Sequence, residues 1–225
     1  MARGLTARPI VRSDERARGE PGRHRIDLGG PRPGFVHASA DVRPGVPAPV
    51  AVVLHGSGGD AEQGLRLLEP SASEAGWIVL APASAAYTWD VVIDGFGRDV
   101  AQIDAGLRWI FERYDVDPAR IAVGGFSDGA SYALTVGLAH GDLFGHVIAL
   151  SPGFVAPVER TGNPRLFIAH GTHDTVLPID RCSRRIVPLL QRAGYRIVYR
   201  EFVGGHEVRP QLVREAVAWA AVGSP

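Results

Sequence analysis

Short apolar runs alternate with amphipathic segments along almost the whole chain, and that alternation restricts the fold more than any other feature. The pattern places strands at 25–28, 35–38, 49–54, 77–81, 121–125, 146–150, 165–170 and 196–202. The first two flank a turn signal, Gly29-Gly30-Pro31-Arg32-Pro33-Gly34. Helices are expected at 60–75, 99–114, 128–140, 183–193 and 210–221, the last opened by proline. In the second of these, Val100, Ile103, Leu107, Ile110 and Phe111 recur on one face. Strands alternating with helices imply an α/β fold with a mostly parallel sheet covered on both faces. Ligands of such sheets sit beyond the carboxyl ends of the strands. The residues just after each strand therefore carry the chemical information.

The length, 225 residues, suits one sizeable domain, expected over 23–225. Residues 1–22 hold several Arg but no apolar segment, so a secretory signal is not expected there. Asp14, Glu15 and Glu20 argue against a transit peptide, and the stretch reads as a poorly ordered tail. Zero formal net charge and 45% apolar residues give no pull toward nucleic acid, and no run is long enough to span a membrane. The single cysteine, Cys182, excludes an internal disulfide and suits a reducing, cytoplasmic setting. All 24 basic residues are Arg, so no Schiff-base lysine, Ser-Lys dyad or P-loop lysine can form.

The run 121–125 leads into Gly125-Phe126-Ser127-Asp128-Gly129 and then a helix. This is G-x-S-x-G in the strand-turn-helix setting of a nucleophile elbow. Glycine on both sides of the serine suggests a bend too tight for side chains. Asp128 would sit at the helix start, where a carboxylate suits the dipole and should face solvent. A serine at its own pKa needs a base. His206 supplies one, in the glycine-rich loop that follows 196–202. The base needs an orienting carboxylate, and Asp174 follows the strand 165–170, with Asp180 as the alternative acid. Oxyanion donors are expected from the backbone N–H of Asp128 and, in the loop His55-Gly56-Ser57-Gly58-Gly59, from that of Ser57, with Gly58 as the alternative. His170, His173, Asp174 and His206 could be drawn as a metal cluster, but no histidine pair has a zinc-helix spacing, and His170 reads as a brace for the acid loop. No metal and no cofactor are expected.

Taken together, Leu54-His55-Gly56, the elbow, His170 to Pro178 and Gly205-His206 resemble the α/β-hydrolase superfamily, in particular small serine esterases of the phospholipase/carboxylesterase type. The stretch from Gly125 to Pro152 is also similar to polyhydroxyalkanoate-depolymerase-like and feruloyl-esterase-like proteins. The resemblance covers roughly 25–222 and implies a Ser127-Asp174-His206 triad working through an acyl-enzyme. Many carboxylesterase relatives carry Gln where this chain has Asp128. Residues 151–164 leave no room for a helical cap, so an open cleft is expected. Its walls would come from Tyr87, Trp89, Val91, Ile93 and Phe96 on one side and Phe154, Val155 and Leu177 on the other, with Trp89, Phe96, Phe154 and Leu177 as the main substrate contacts. The expected partner is a small-molecule ester with a short acyl or aryl group; a homodimer is allowed. A thioesterase or peptidase with the same triad is the alternative activity, and a non-catalytic ligand receptor or scaffold the alternative class.

Overall fold

The computed structural model describes residues 4–9, 19–93 and 97–222. The elements run β1 (Gly22–Ile26), β2 (Gly34–Ala38), β3 (Ala48–Leu54), α1 (Ala61–Glu74), β4 (Ile78–Ala81), α2 (Asp90–Ile93) and α3 (Arg98–Phe111). They continue β5 (Val116–Phe126), α4 (Asp128–Ala139), β6 (His146–Leu150), β7 (Arg165–Gly171), α5 (Ser183–Arg192), β8 (Ile197–Phe202) and α6 (Pro210–Ala221). The eight strands form one sheet in the order β1-β2-β4-β3-β5-β6-β7-β8. β2 is antiparallel to both β1 and β4, and every later pairing is parallel. This is the α/β-hydrolase fold, without a cap: residues 151–164 contain no helix.

The central strands are apolar throughout because both faces are covered. β3 and β6 are buried at every position. One face packs on α3 and α4 around Ile103, Leu107, Tyr132, Leu134 and Phe144. The other packs on α1 and α6 around Leu65, Leu68, Trp77, Phe167 and Val217. β5 starts at Val116, five residues before the expected strand, because Val116 pairs with Ala48 across a register shift. Pro118 falls in this irregular part, where its missing N–H costs no regular ladder bond.

The expected tail is a correction. Residues 4–9 lie against the domain, with Leu5 and Ala7 buried. The Asp104 carboxylate accepts the backbone N–H groups of Thr6 and Ala7 at 2.6 and 2.7 Å. Alternating inward side chains and one capturing carboxylate suffice to order such a segment; residues 10–18 lie outside the described residues. Among the described residues no helix is long and apolar enough to cross a membrane.

Candidate active site

β3, β5, β7 and β8 all end at the same edge of the sheet, and the four loops that follow them converge there. Ser127 stands between β5 and α4 at φ 58°, ψ −122°, a region costly for a residue with a side chain. The turn is held by Ser127 N–H donating to the Leu150 carbonyl and by the Ala130 and Ser131 N–H groups donating to the Ser127 carbonyl, each at 3.0 Å. The flanking glycines are explained by contact. A Cβ on Gly125 would lie 2.5 Å from the Gly129 backbone, and one on Gly129 would lie 2.2 Å from the Leu54 carbonyl oxygen. Both clashes are with backbone, which cannot step aside. We therefore expect Gly129→Ala to destabilise the fold by about 3 kcal/mol or more, as overpacking at a rigid site does. A melting temperature near that of the unaltered protein would contradict this account of the turn.

The Ser127 hydroxyl lies 2.9 Å from His206 Nε2, and His206 Nδ1 lies 2.7 Å from Asp174 Oδ2. Two loops must meet for this to happen. The N–H groups of Thr172 and His173 donate to the Phe202 and Gly204 carbonyls, zipping the acid loop to the histidine loop. A Cβ on Gly171 would fall 2.3 Å from the Gly205 carbonyl oxygen, so this close approach requires glycine. The Phe126 ring packs on the imidazole at 4.6 Å between centroids.

Asp174 Oδ1 accepts the N–H groups of Val176 and Leu177 at 2.9 and 2.8 Å. Burial opposes ionisation of Asp174, but the hydrogen bonds from His206 and from these amides outweigh it, and its pKa lies below the usual carboxylate value. An ionised Asp174 only accepts, so His206 carries its proton on Nδ1 and turns the lone pair of Nε2 toward Ser127. His170 is wholly buried behind the acid. Its Nε2 lies 2.8 Å from the Leu177 carbonyl and 3.2 Å from Asp174 Oδ2, and its Nδ1 lies 2.7 Å from the Ser183 hydroxyl. Burial above all holds the His170 pKa below the ordinary imidazole value, so the ring is neutral and donates from Nε2. Asp180 is displaced from the site: its exposed carboxylate binds Arg184 at 2.9 Å.

The loop after β3 passes beside the serine, where a Cβ on Gly56 would come 3.5 Å from Ser127 Cβ. Gly58 N–H is occupied by the Tyr87 carbonyl at 2.8 Å, which favours Ser57 over Gly58 as a free donor. Asp128 N–H belongs to the first turn of α4, where amides lack helical partners. The Asp128 side chain does not simply face solvent; Oδ2 accepts the Thr88 hydroxyl at 2.8 Å.

Trp89 is corrected from a cleft wall to a core residue. It is fully buried, its indole N–H donates to the His55 carbonyl at 2.8 Å, and it stacks on Tyr132 at 5.1 Å. It steadies the loop after β3 from beneath and cannot touch substrate. Phe96 lies outside the described residues. Val91 and Val155 pack against the core. Phe154 and Leu177 are half-buried, and a Cβ on Gly153 would meet the Leu177 methyl at 3.2 Å, so the two loops adjoin. Tyr87 is 75% exposed, with its ring over Gly58.

The segment 84–99 is closed by a carboxylate pair that the sequence pattern did not single out. Asp90 N–H donates to Asp99 Oδ2 at 2.7 Å, and Asp99 N–H donates to Asp90 Oδ2 at 3.0 Å. The Tyr132 hydroxyl donates to Asp90 Oδ1, and Ala85 N–H to Asp99 Oδ1. Burial pushes the Asp99 pKa above the usual carboxylate value. Two acidic residues nine apart beside a loop look like surface charge until the loop's path is known.

A mostly parallel sheet of this order, with an elbow serine at its carboxyl edge, defines an α/β-hydrolase. A family model described as Phospholipase/Carboxylesterase matches residues 95–219, more than half of the chain, and the chain belongs to that family. It is 28% identical over 112 residues to acyl-protein thioesterase 1 of Gibberella zeae (strain PH-1), a match covering 45% of this chain and 47% of that one. The chain spans about half the length of the curated relatives it matches. Among solved structures, esterase PE8 superposes with a TM-score of 0.65 at 23% identity, over 82% of this chain and 95% of the other. FphF, a fluorophosphonate-binding serine hydrolase of Staphylococcus aureus, gives a TM-score of 0.70 at 16% identity, over 90% and 99%. At these identities the superpositions speak for the fold alone.

Proposed function

We propose that this protein is a serine carboxylic-ester hydrolase acting on short-acyl or aryl esters, in a cytoplasmic setting. The observation that carries the proposal is the unbroken relay from the Ser127 hydroxyl through His206 to Asp174, at 2.9 and 2.7 Å. Ser127 Oγ attacks the ester carbonyl carbon while its proton passes to His206 Nε2. The carbonyl oxygen gains the negative charge and is held by the N–H groups of Ser57 and Asp128. Collapse of this intermediate breaks the bond to the alcohol oxygen, which takes the proton from His206. Water then attacks the acyl-enzyme, giving one proton to His206, and the free acid leaves as Ser127 recovers it. Asp174 holds the imidazole in the required tautomer and stays ionised throughout.

The same relay serves a thioester, and the match to an acyl-protein thioesterase favours that as the second activity. A substrate series separates the two. With no helix in residues 151–164, nothing there encloses a long acyl chain. A methylene gains about 0.8 kcal/mol only where protein removes it from water. We expect kcat/KM to peak between roughly C2 and C6 acyl chains, or with flat aryl groups, and to fall by C12, measured below the micelle threshold. Leu177→Ala, which widens this half-buried wall, should shift that ranking while changing the melting temperature little. Specificity rising through C12 to C16 would reveal an enclosed acyl channel. Thioesters turned over far better than matched oxygen esters would replace the carboxylesterase assignment with a thioesterase.

A further inference from the structure

We propose that Arg32 is a positioning residue that sets the oxyanion donor of Ser57 by clamping the loop after β3 to the segment 84–87. The proposal rests on the enzymatic reading above and goes beyond the relay itself. Arg32 belongs to the turn between β1 and β2, on the antiparallel margin of the sheet, two strands away from β3. From there its guanidinium reaches two other loops. Nη1 donates to the Gly59 carbonyl at 2.8 Å. Nη2 donates to the Ser84 carbonyl at 2.6 Å, the Ser84 hydroxyl at 2.8 Å and the Ala86 carbonyl at 3.0 Å, and Nε donates to the Ser84 carbonyl at 3.2 Å.

These bonds bracket Ser57. On one side Gly59 is held directly, and Gly59 N–H turns back to the Gly56 carbonyl at 3.0 Å. On the other, Arg32 fixes Ala86, and the next residue, Tyr87, offers the carbonyl that receives Gly58 N–H. Ser84, gripped by the same fork, donates its N–H to His55 Nε2 at 3.0 Å. His55 Nδ1 in turn bonds the Gly56 carbonyl at 2.7 Å. His55 and Gly56 are thus tied to one planar cation through one intermediate each, Ser84 and Gly59, and Gly58 through Ala86 and Tyr87.

The local sequence suits this task. Arg32 stands between Pro31 and Pro33. The following proline disfavours a helical backbone at Arg32, and the fixed φ angles of both prolines stiffen the turn that presents it. A lysine could not replace it, because one ammonium on a flexible stem lacks the fork that spans several carbonyls. An oxyanion donor acts only when it lies about 3 Å from where the charge develops, so a small drift of Ser57 lowers the rate without weakening ground-state binding.

The test compares wild type with R32A and R32K, using p-nitrophenyl acetate as substrate. Fluorophosphonate titration counts competent sites in each preparation, so every rate is expressed per labelled site. R32A is expected to lose about 10- to 100-fold in kcat, less than outright removal of a donor, with KM changed by less than about twofold. The inhibition constant of a short-chain trifluoromethyl ketone, which places a negative oxygen in the hole, should rise by the same factor as kcat falls. Millimolar guanidinium should restore much of the R32A rate, and R32K should behave like R32A. R32K keeps the aliphatic stem, so it carries the test if R32A does not fold. Rates per labelled site within twofold of wild type, or a fall in kcat with no change in ketone affinity, would overturn the role of Arg32. A wild type inert toward both the phosphonate and the esters would instead overturn the enzymatic reading, and this inference with it.

Discussion

Ser127→Ala will lose ester turnover on the order of 10⁴-fold or more while melting close to the wild-type temperature. The rate falls because, among the described residues, Ser127 carries the one hydroxyl hydrogen-bonded to His206 Nε2. The fold survives because alanine keeps the Cβ that already tolerates φ 58°. The backbone bonds to Leu150, Ala130 and Ser131 that hold the turn do not involve the hydroxyl. Steady-state hydrolysis by the purified variant, with thermal unfolding alongside, checks both halves. Near-wild-type turnover would remove Ser127 from the mechanism.

Asp174→Asn is expected to lower turnover by about 10³–10⁴-fold with little change in KM. The amide oxygen can still accept the Val176 and Leu177 N–H groups that Asp174 Oδ1 accepts. The NH₂ group then faces His206 Nδ1, and two donors cannot share that contact. The imidazole must shed its Nδ1 proton and carry it on Nε2, where it no longer accepts from Ser127. His170, which turns its own N–H toward the same carboxylate oxygen, adds to the mismatch. Asp180→Asn should change turnover little, since Asp180 binds Arg184 at the surface. If the two variants exchanged behaviour, the orienting acid would be Asp180.

The sheet was legible because burial on both faces leaves continuous apolar runs, and β3, β6 and β7 fall within a residue or so of where those runs lie. The residues now within hydrogen-bond distance at the site were legible for a related reason. Each lies in the loop that follows a strand, within about four residues of its end, and parallel strands deliver their ends to one edge. What the pattern missed depends on where loops travel. Trp89 reads as a cleft-wall aromatic on a long connection, yet its N–H finds the His55 carbonyl and its ring enters the core. Nothing in the sequence pattern singles out Asp90 and Asp99, because their reciprocal bonds exist only once the loop has closed. Arg32 sits inside a turn signal, and nothing in a Pro-Arg-Pro tripeptide announces that the side chain spans two distant loops. Leu5 and Ala7 were too few to mark an ordered segment, because the carboxylate that captures them belongs to α3.

The proposed mechanism requires Ser127 to be an activated nucleophile. The most direct measurement is the intact mass of the protein after exposure to a fluorophosphonate, followed by peptide mapping of the adduct. One phosphonyl group per chain is expected on Ser127, appearing in step with loss of ester hydrolysis and absent from the Ser127→Ala variant. An adduct on another residue, or undiminished hydrolysis in protein whose Ser127 is fully labelled, would contradict it.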